Sequence, residues 1–188
     1  MRTLMSLLLV LSAVTASAQV TIEPIDVDSG LLRVTYLVDH NEVGATSFVF
    51  PSNGYLFTNQ PLSVIGVHEK NTQQELRHEV VPAASPGPGH AEAKSVRCLY
   101  TDPVPAGLGY KVEITIEART DDISVEPDGR WVCSYETGWQ TLNFVVPYGH
   151  ALVYCNFPVL LSEVEGRTVA RAQKSSEQQE VVFKTRQM

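Results

Sequence analysis

The strongest constraint in this chain is an alternation of period two. From Lys111 to Ala118, the residues Val112, Ile114, Ile116 and Ala118 fall on one side, and Lys111, Glu113, Thr115 and Glu117 on the other. Such a segment is a β-strand with one face in a core and one in water. Sliding its register by one residue would bury Lys111, Glu113 and Glu117, so its orientation is fixed by charge as well as by apolar pattern. The run after Gly30 repeats the signal, with Leu32, Val34, Tyr36 and Val38 alternating with Leu31, Arg33, Thr35 and Leu37.

Further strands are expected over Val20–Ile25, Thr46–Phe50, Leu62–Glu69, Glu75–Val81, Ser95–Tyr100, Arg167–Ala172 and Glu180–Thr185. Turn residues punctuate them, as in the Pro51-Ser52-Asn53-Gly54 cluster. No stretch of ten residues shows helical periodicity. Short strands at close intervals predict an all-β fold. The expected form is a single β-sandwich of two packed, mainly antiparallel sheets, immunoglobulin-like in the broad sense. The tryptophan spacing of a true immunoglobulin domain is absent, since Trp131 comes two residues before Cys133.

The ends of the fold follow from composition. Arg2, the apolar run Leu4–Val14 and the small residues Ala16-Ser17-Ala18 predict a secretory signal peptide over 1–18, cleaved before Gln19. The run is well short of the roughly 20 residues that cross a bilayer. Removing 18 residues from 188 leaves 170, expected to form one domain over 19–188. Pro82–Gly89 is rich in proline and glycine and is expected to be an exposed loop. An exported protein is periplasmic or extracellular.

Charge narrows the partners. Without Arg2, the 14 basic residues become 13 against 21 acidic ones, a net charge of −8. An acidic chain with no basic run is not built for nucleic acid, and no spanning segment follows the signal. A protein or an envelope component is the expected partner, with carbohydrate as an alternative.

The densest apolar stretch is Gly129–Pro158, which holds Trp131, Trp139, Cys133 and Cys155. Trp131, Cys133 and Tyr135 share one strand face, as in a core-forming hairpin. Three strands are read here, Arg130–Glu136, Trp139–Val146 and Ala151–Phe157, and a meander would order them consecutively. Cys133 and Cys155 would then lie one strand apart, at roughly 9–10 Å, beyond the ~4.4–6.8 Å reach of a disulfide. They can bond only if the third strand crosses to the other sheet. One disulfide with a spare thiol is the simplest reading for an exported chain, with Cys133–Cys155 as first choice. Pairing of Cys98 with either, or three reduced thiols, stays open.

Three constellations could carry chemistry. Trp139, Tyr135 and Tyr148, with His150 beside them, could stack on a sugar, although core filling also explains large aromatics in sheets. His68 and His78 could face each other across a hairpin closed by Lys70–Gln74 and share a metal ion, but two ligands make a weak site. The acidic pairs Asp26/Asp28 and Asp121/Asp122 lack the ligand pattern of a calcium loop. There is no GxSxG elbow, and nothing calls for a cofactor. The leading expectation is therefore an exported, non-enzymatic protein with a binding or assembly role. A carbohydrate-binding module and a metal-binding or hydrolytic enzyme are the alternatives.

Overall fold

The computed structural model describes residues 19–52, 63–84, 92–120, 122–135, 140–173 and 180–188. The expected signal peptide and most of the Pro82–Gly89 loop lie outside the described residues. The fold is all-β, with no helix among the described residues. In chain order the strands are β1 (Gln19–Asp26), β2 (Leu31–His40), β3 (Ser47–Phe50), β4 (Ser63–Glu69), β5 (Arg77–Pro82), β6 (Lys94–Leu99) and β7 (Tyr110–Arg119). They continue as β8 (Ile123–Val125), β9 (Trp131–Tyr135), β10 (Thr141–Val145), β11 (His150–Cys155), β12 (Val159–Val164), β13 (Arg167–Gln173) and β14 (Val181–Gln187).

Three sheets form from these strands. The largest has the order β12-β13-β10-β1-β2-β7-β4, a second is β11-β14-β9-β8, and a third is β3-β6-β5. The pairs are antiparallel except β1 with β10. The expected sandwich is thus present, with its smaller layer divided into two sheets.

Alternation explains the packing. Val20, Ile22, Val34, Tyr36, Ile114, Ile116, Leu142 and Phe144 lie on one face of the large sheet and are buried. That face meets both small sheets. Tyr36 packs on Phe50 of β3 with ring centroids 5.1 Å apart, and its hydroxyl meets that of Tyr135 on β9 at 3.5 Å. Phe144 of β10 stacks on Phe183 of β14 at 4.4 Å, with planes 6° apart. Offset stacks of this kind add to the apolar burial that holds two layers together.

The opposite face of the large sheet is a polar surface built by register. Glu23, Arg33 and Glu117 stand opposite one another on β1, β2 and β7. Arg33 donates to Glu117 at 2.6 Å and to Glu23 at 3.4 Å, and Arg167 also bonds to Glu23. A parallel row runs Arg171, Asn143, Thr21, Thr35, Thr115 across β13, β10, β1, β2 and β7. Along it Arg171 donates to Asn143, Asn143 to Thr21, and the Thr35 and Thr115 hydroxyls meet.

Two parts of the Gly129–Pro158 reading change. β10 does not return beside β9; it enters the large sheet between β13 and β1. Its buried Leu142 and Phe144, with the buried Asn143 between them, suit a central strand flanked on both sides. The strand between β9 and β11 is instead β14, from the C-terminal end. The other part concerns the cysteines. Phe183 of β14 is the register partner of both Cys133 and Cys155, so the two thiols flank it from opposite strands. Two strand spacings, roughly 9–10 Å, separate them. All three cysteines are free, which corrects the expected disulfide.

Candidate functional site

The sheet edges distinguish one surface from the rest. An edge strand carries a row of unpaired N–H and C=O groups that templates pairing with another chain, and most proteins blunt it. Among the described residues, five of the six edges are blunted. β3 and β8 have only four and three residues. β4 has a register shift between Val64 and Gly66, and β11 one between Leu152 and Tyr154. β5 carries Arg77 and Glu79 and ends in Pro82.

The sixth edge, β12, is neither short nor bulged nor ended by proline, and Glu163 is its single charge. It pairs with β13 over Val159–Val164 without a register shift. Among the described residues it has no neighbour on its other side. Its sequence is Val-Leu-Leu-Ser-Glu-Val, and Leu160, Leu161 and Val164 are 75%, 61% and 52% exposed. Pairing places Leu160, Ser162 and Val164 opposite Arg171, Val169 and Arg167, on the polar face of the sheet. Leu161 stands opposite the buried Ala170, on the core side, yet remains exposed. The core-side layer therefore stops short of the edge. Val159 at the start of the strand does pack against the core cluster, which anchors it.

A tight turn holds β12 in place. Val164 and Arg167 are register partners, so Glu165 and Gly166 form a two-residue loop. Both have positive φ, 52° and 75°. This is the backbone of a type I′ turn, whose twist matches the strands it joins. Glycine takes that conformation freely, whereas Glu165 holds it at a cost.

The residues expected to carry chemistry lie apart. Tyr135 points into the sandwich, where burial and the neighbouring Tyr36 push its phenol well above the ordinary range. Tyr148 lies in the turn before β11 and is 91% exposed. Tyr135 is the partner of Val181 and His150 that of Gln187, at opposite ends of β14. That separation is roughly 20 Å, so Tyr135 and Tyr148 do not share a platform. Trp139 lies outside the described residues. His150 packs its ring 4.2 Å from that of Trp131, and Nδ1 lies 3.2 Å from the Tyr148 carbonyl oxygen.

His68 and His78 are not cross-strand partners. His68 is bridged to Glu75 and pairs with Glu113 of β7, and its ring folds over Gly66. His78 pairs with Cys98 in the separate β3-β6-β5 sheet. The Lys70–Gln74 connection does turn the chain, fixed by Glu69, which accepts from the Asn71 and Thr72 amides. The two strands then diverge into different sheets. No group of three or more His, Cys, Asp or Glu able to hold a metal ion occurs among the described residues. The Asp26 carboxylate is engaged locally, accepting from the Asp28 amide and the Ser29 hydroxyl, as expected for a strand-end turn. Asp121 lies outside the described residues, and Asp122 bonds to Thr120.

One buried polar cluster was not anticipated. The Tyr100 hydroxyl lies 2.9 Å from His40 Nδ1, and Phe48 and Tyr110 stack on the pair. Glu42 approaches the other ring nitrogen at 3.8 Å. Burial of Tyr100 and the nearby Cys98 and Tyr110 raise its phenol above the ordinary range, so it stays protonated. The cluster joins the ends of β2, β3, β6 and β7 as a structural rivet.

The sequence matches no protein-family model and no curated protein. The fold is similar to solved structures of an M1 zinc metallopeptidase from Deinococcus radiodurans. One superposes with a TM-score of 0.50 at 11% identity, over 89% of this chain and 41% of that one. Another, an E323A mutant bound to a Tyr-Ser-Ala substrate, gives 0.51 at 9% identity, over 90% and 41%. The chain thus spans less than half the length of these proteins. At such identity the likeness is one of fold alone.

Proposed function

We propose that this chain is an exported, non-enzymatic protein that acts outside the cytoplasm by binding or assembly, and that its contact surface is the open edge of β12. The observation that carries this reading is a combination that, among the described residues, occurs on that edge alone. Leu160, Leu161 and Val164 are all exposed on an unshifted strand with one charge, while the other edges are short, bulged or, in β5, doubly charged and ended by proline. Strand addition draws affinity from main-chain hydrogen bonds and specificity from alternate side chains. Leu160 and Val164 on one face and Leu161 on the other offer both kinds of contact. The signal-like segment before Gln19 supports the location.

The test is cross-linking in the envelope of an exporting host, followed by mapping of the linked residues, with wild type and Leu160→Lys compared. Links confined to Val159–Gly166 and lost in Leu160→Lys, with thermal stability unchanged, are the expected result. Links elsewhere that survive the substitution contradict the reading. Sequencing of the mature N-terminus should begin at Gln19.

A further inference from the structure

We infer that the occupant of the β12 edge is the β12 of a second copy, paired antiparallel about a two-fold axis through Ser162. The inference rests on the reading that β12 is the contact surface.

Geometry limits the options. A two-fold axis perpendicular to a sheet keeps each face continuous across the junction. Directly opposed residues must then come from the same face of the strand, so the axis must pass through a residue. Only Leu161 and Ser162 lie near enough to the middle of Val159–Val164 for most of the strand to pair.

The side chains choose between them. With the axis at Ser162, Leu160 stands opposite Val164 of the second copy, Ser162 opposite Ser162, and Val164 opposite Leu160. All three pairs lie on one face, and none carries a charge. The two apolar residues most exposed on that face, at 75% and 52%, each gain an apolar partner on both sides of the axis. On the other face Leu161 meets the aliphatic stem of Glu163, and the two Glu163 carboxylates are not directly opposed. With the axis at Leu161, Leu160 meets Ser162 instead, and Val159 meets Glu163. That arrangement pairs Leu160 and Val159 with polar residues and leaves Val164 opposite Pro158, beyond the end of the strand.

The contact extends the seven-stranded sheet through β12 into a continuous one in the dimer. A six-residue edge is smaller than the ~800 Å² per partner of a stable interface. The association is therefore concentration-dependent, and the net acidic charge of each copy makes it stronger as salt rises.

Cysteine scanning tests it on the full mature chain. Ser162→Cys is made with Cys155→Ser, which removes the partly exposed thiol; Cys98 and Cys133 are buried. In the proposed register the Cα atoms of position 162 in the two copies lie about 4.5–5.5 Å apart, within the reach of a disulfide. Oxidation with copper phenanthroline should shift Ser162→Cys to twice the chain mass, increasingly so with concentration. Leu160→Cys and Leu161→Cys should stay at the mass of one chain, because their counterparts lie two or more residues off register. Cross-linking of Leu161→Cys in preference to Ser162→Cys overturns the proposal. So does absence of the Ser162→Cys dimer when thermal unfolding shows the variant folded. If the envelope cross-links still map to Val159–Gly166 in that case, the edge binds a different protein and only the second copy is refuted. If they do not, both readings fall.

Discussion

Removing the Phe183 ring should cost most of what holds the β11-β14-β9-β8 sheet to the large one. Phe183 is fully buried, and its ring stacks on Phe144 across the layers at 4.4 Å. Phe183→Ala leaves a cavity between Phe144, Cys133 and Cys155, whose backbones are pinned by pairing to β13, β1, β14 and β8. Pinned walls collapse little, which favours the upper part of the usual range of about 3–5 kcal/mol for Phe to Ala. Against a total stability of ~5–15 kcal/mol the variant should be severely weakened. At ~2–4 °C per kcal/mol for a domain of this size, the melting temperature should fall by roughly 8–16 °C. The assay is urea unfolding of wild type, Phe183→Leu, Phe144→Leu and the double variant. The two leucines remove the stack but keep most of the apolar volume. Their coupling should be about 0.5–1.5 kcal/mol. Strict additivity, or a loss below about 1 kcal/mol for Phe183→Ala, would refute the claim that this pair joins the layers. Leu160→Ala, on the exposed edge, is the matched control and should change stability by no more than ~0.5 kcal/mol.

Other outcomes follow from the same structure. Burial lowers the His40 pKa below its ordinary 6.5, with Glu42 opposing the shift. The folded state therefore binds fewer protons at this ring than the unfolded chain, and stability rises with pH through the window just below 6.5. Urea titrations should show a loss as pH falls through that window, reduced in His40→Phe; an unchanged slope would contradict the rivet. Native alkylation should label Cys155 first, since Cys98 and Cys133 are buried with thiols pushed up to about 12. Unfolding without reductant should then expose all three, and a single labelled cysteine would contradict the unbridged structure. Gly166→Val should cost about 1–3 kcal/mol because φ is 75° there, and should loosen β12 selectively in amide exchange.

Much of the fold was legible because strands declare themselves by alternation. The segments read as Gly30–Val38 and Lys111–Ala118 became β2 and β7, central in the large sheet, with the apolar positions buried as the pattern demands. Trp131, Cys133 and Tyr135 turned toward the core for the same reason. Pairing partners were harder to read, because alternation says which face a residue takes and not which strand lies beside it. Hence β10 left the expected meander for the large sheet, and β14, distant in sequence, took its place. The most conspicuous metal pair, His68 with His78, failed on the same point, since its two strands diverge after the turn.

The edge strand itself is nearly silent in the sequence. Val-Leu-Leu-Ser-Glu-Val does not alternate, because an edge with both faces exposed has no inside to select for. A signal was nonetheless there. Glu165-Gly166 between two apolar runs is a two-residue hairpin loop, and reading it as one would have placed Val159–Val164 beside Arg167–Gln173. The tryptophans and tyrosines draw the eye to Gly129–Pro158, whereas the exposed leucines of β12 lie just beyond it, at Leu160 and Leu161.

Amide hydrogen exchange along β12 tests the central claim most directly. In dilute isolated protein, the amides of Val159–Val164 that point away from β13 should exchange quickly, alternating with slow ones that pair with it. Those of Val20 and Ile114 should stay protected throughout. Raising the concentration should slow the fast set alone. Uniform protection of every β12 amide in dilute protein would mean that the edge is already covered, and would contradict the account.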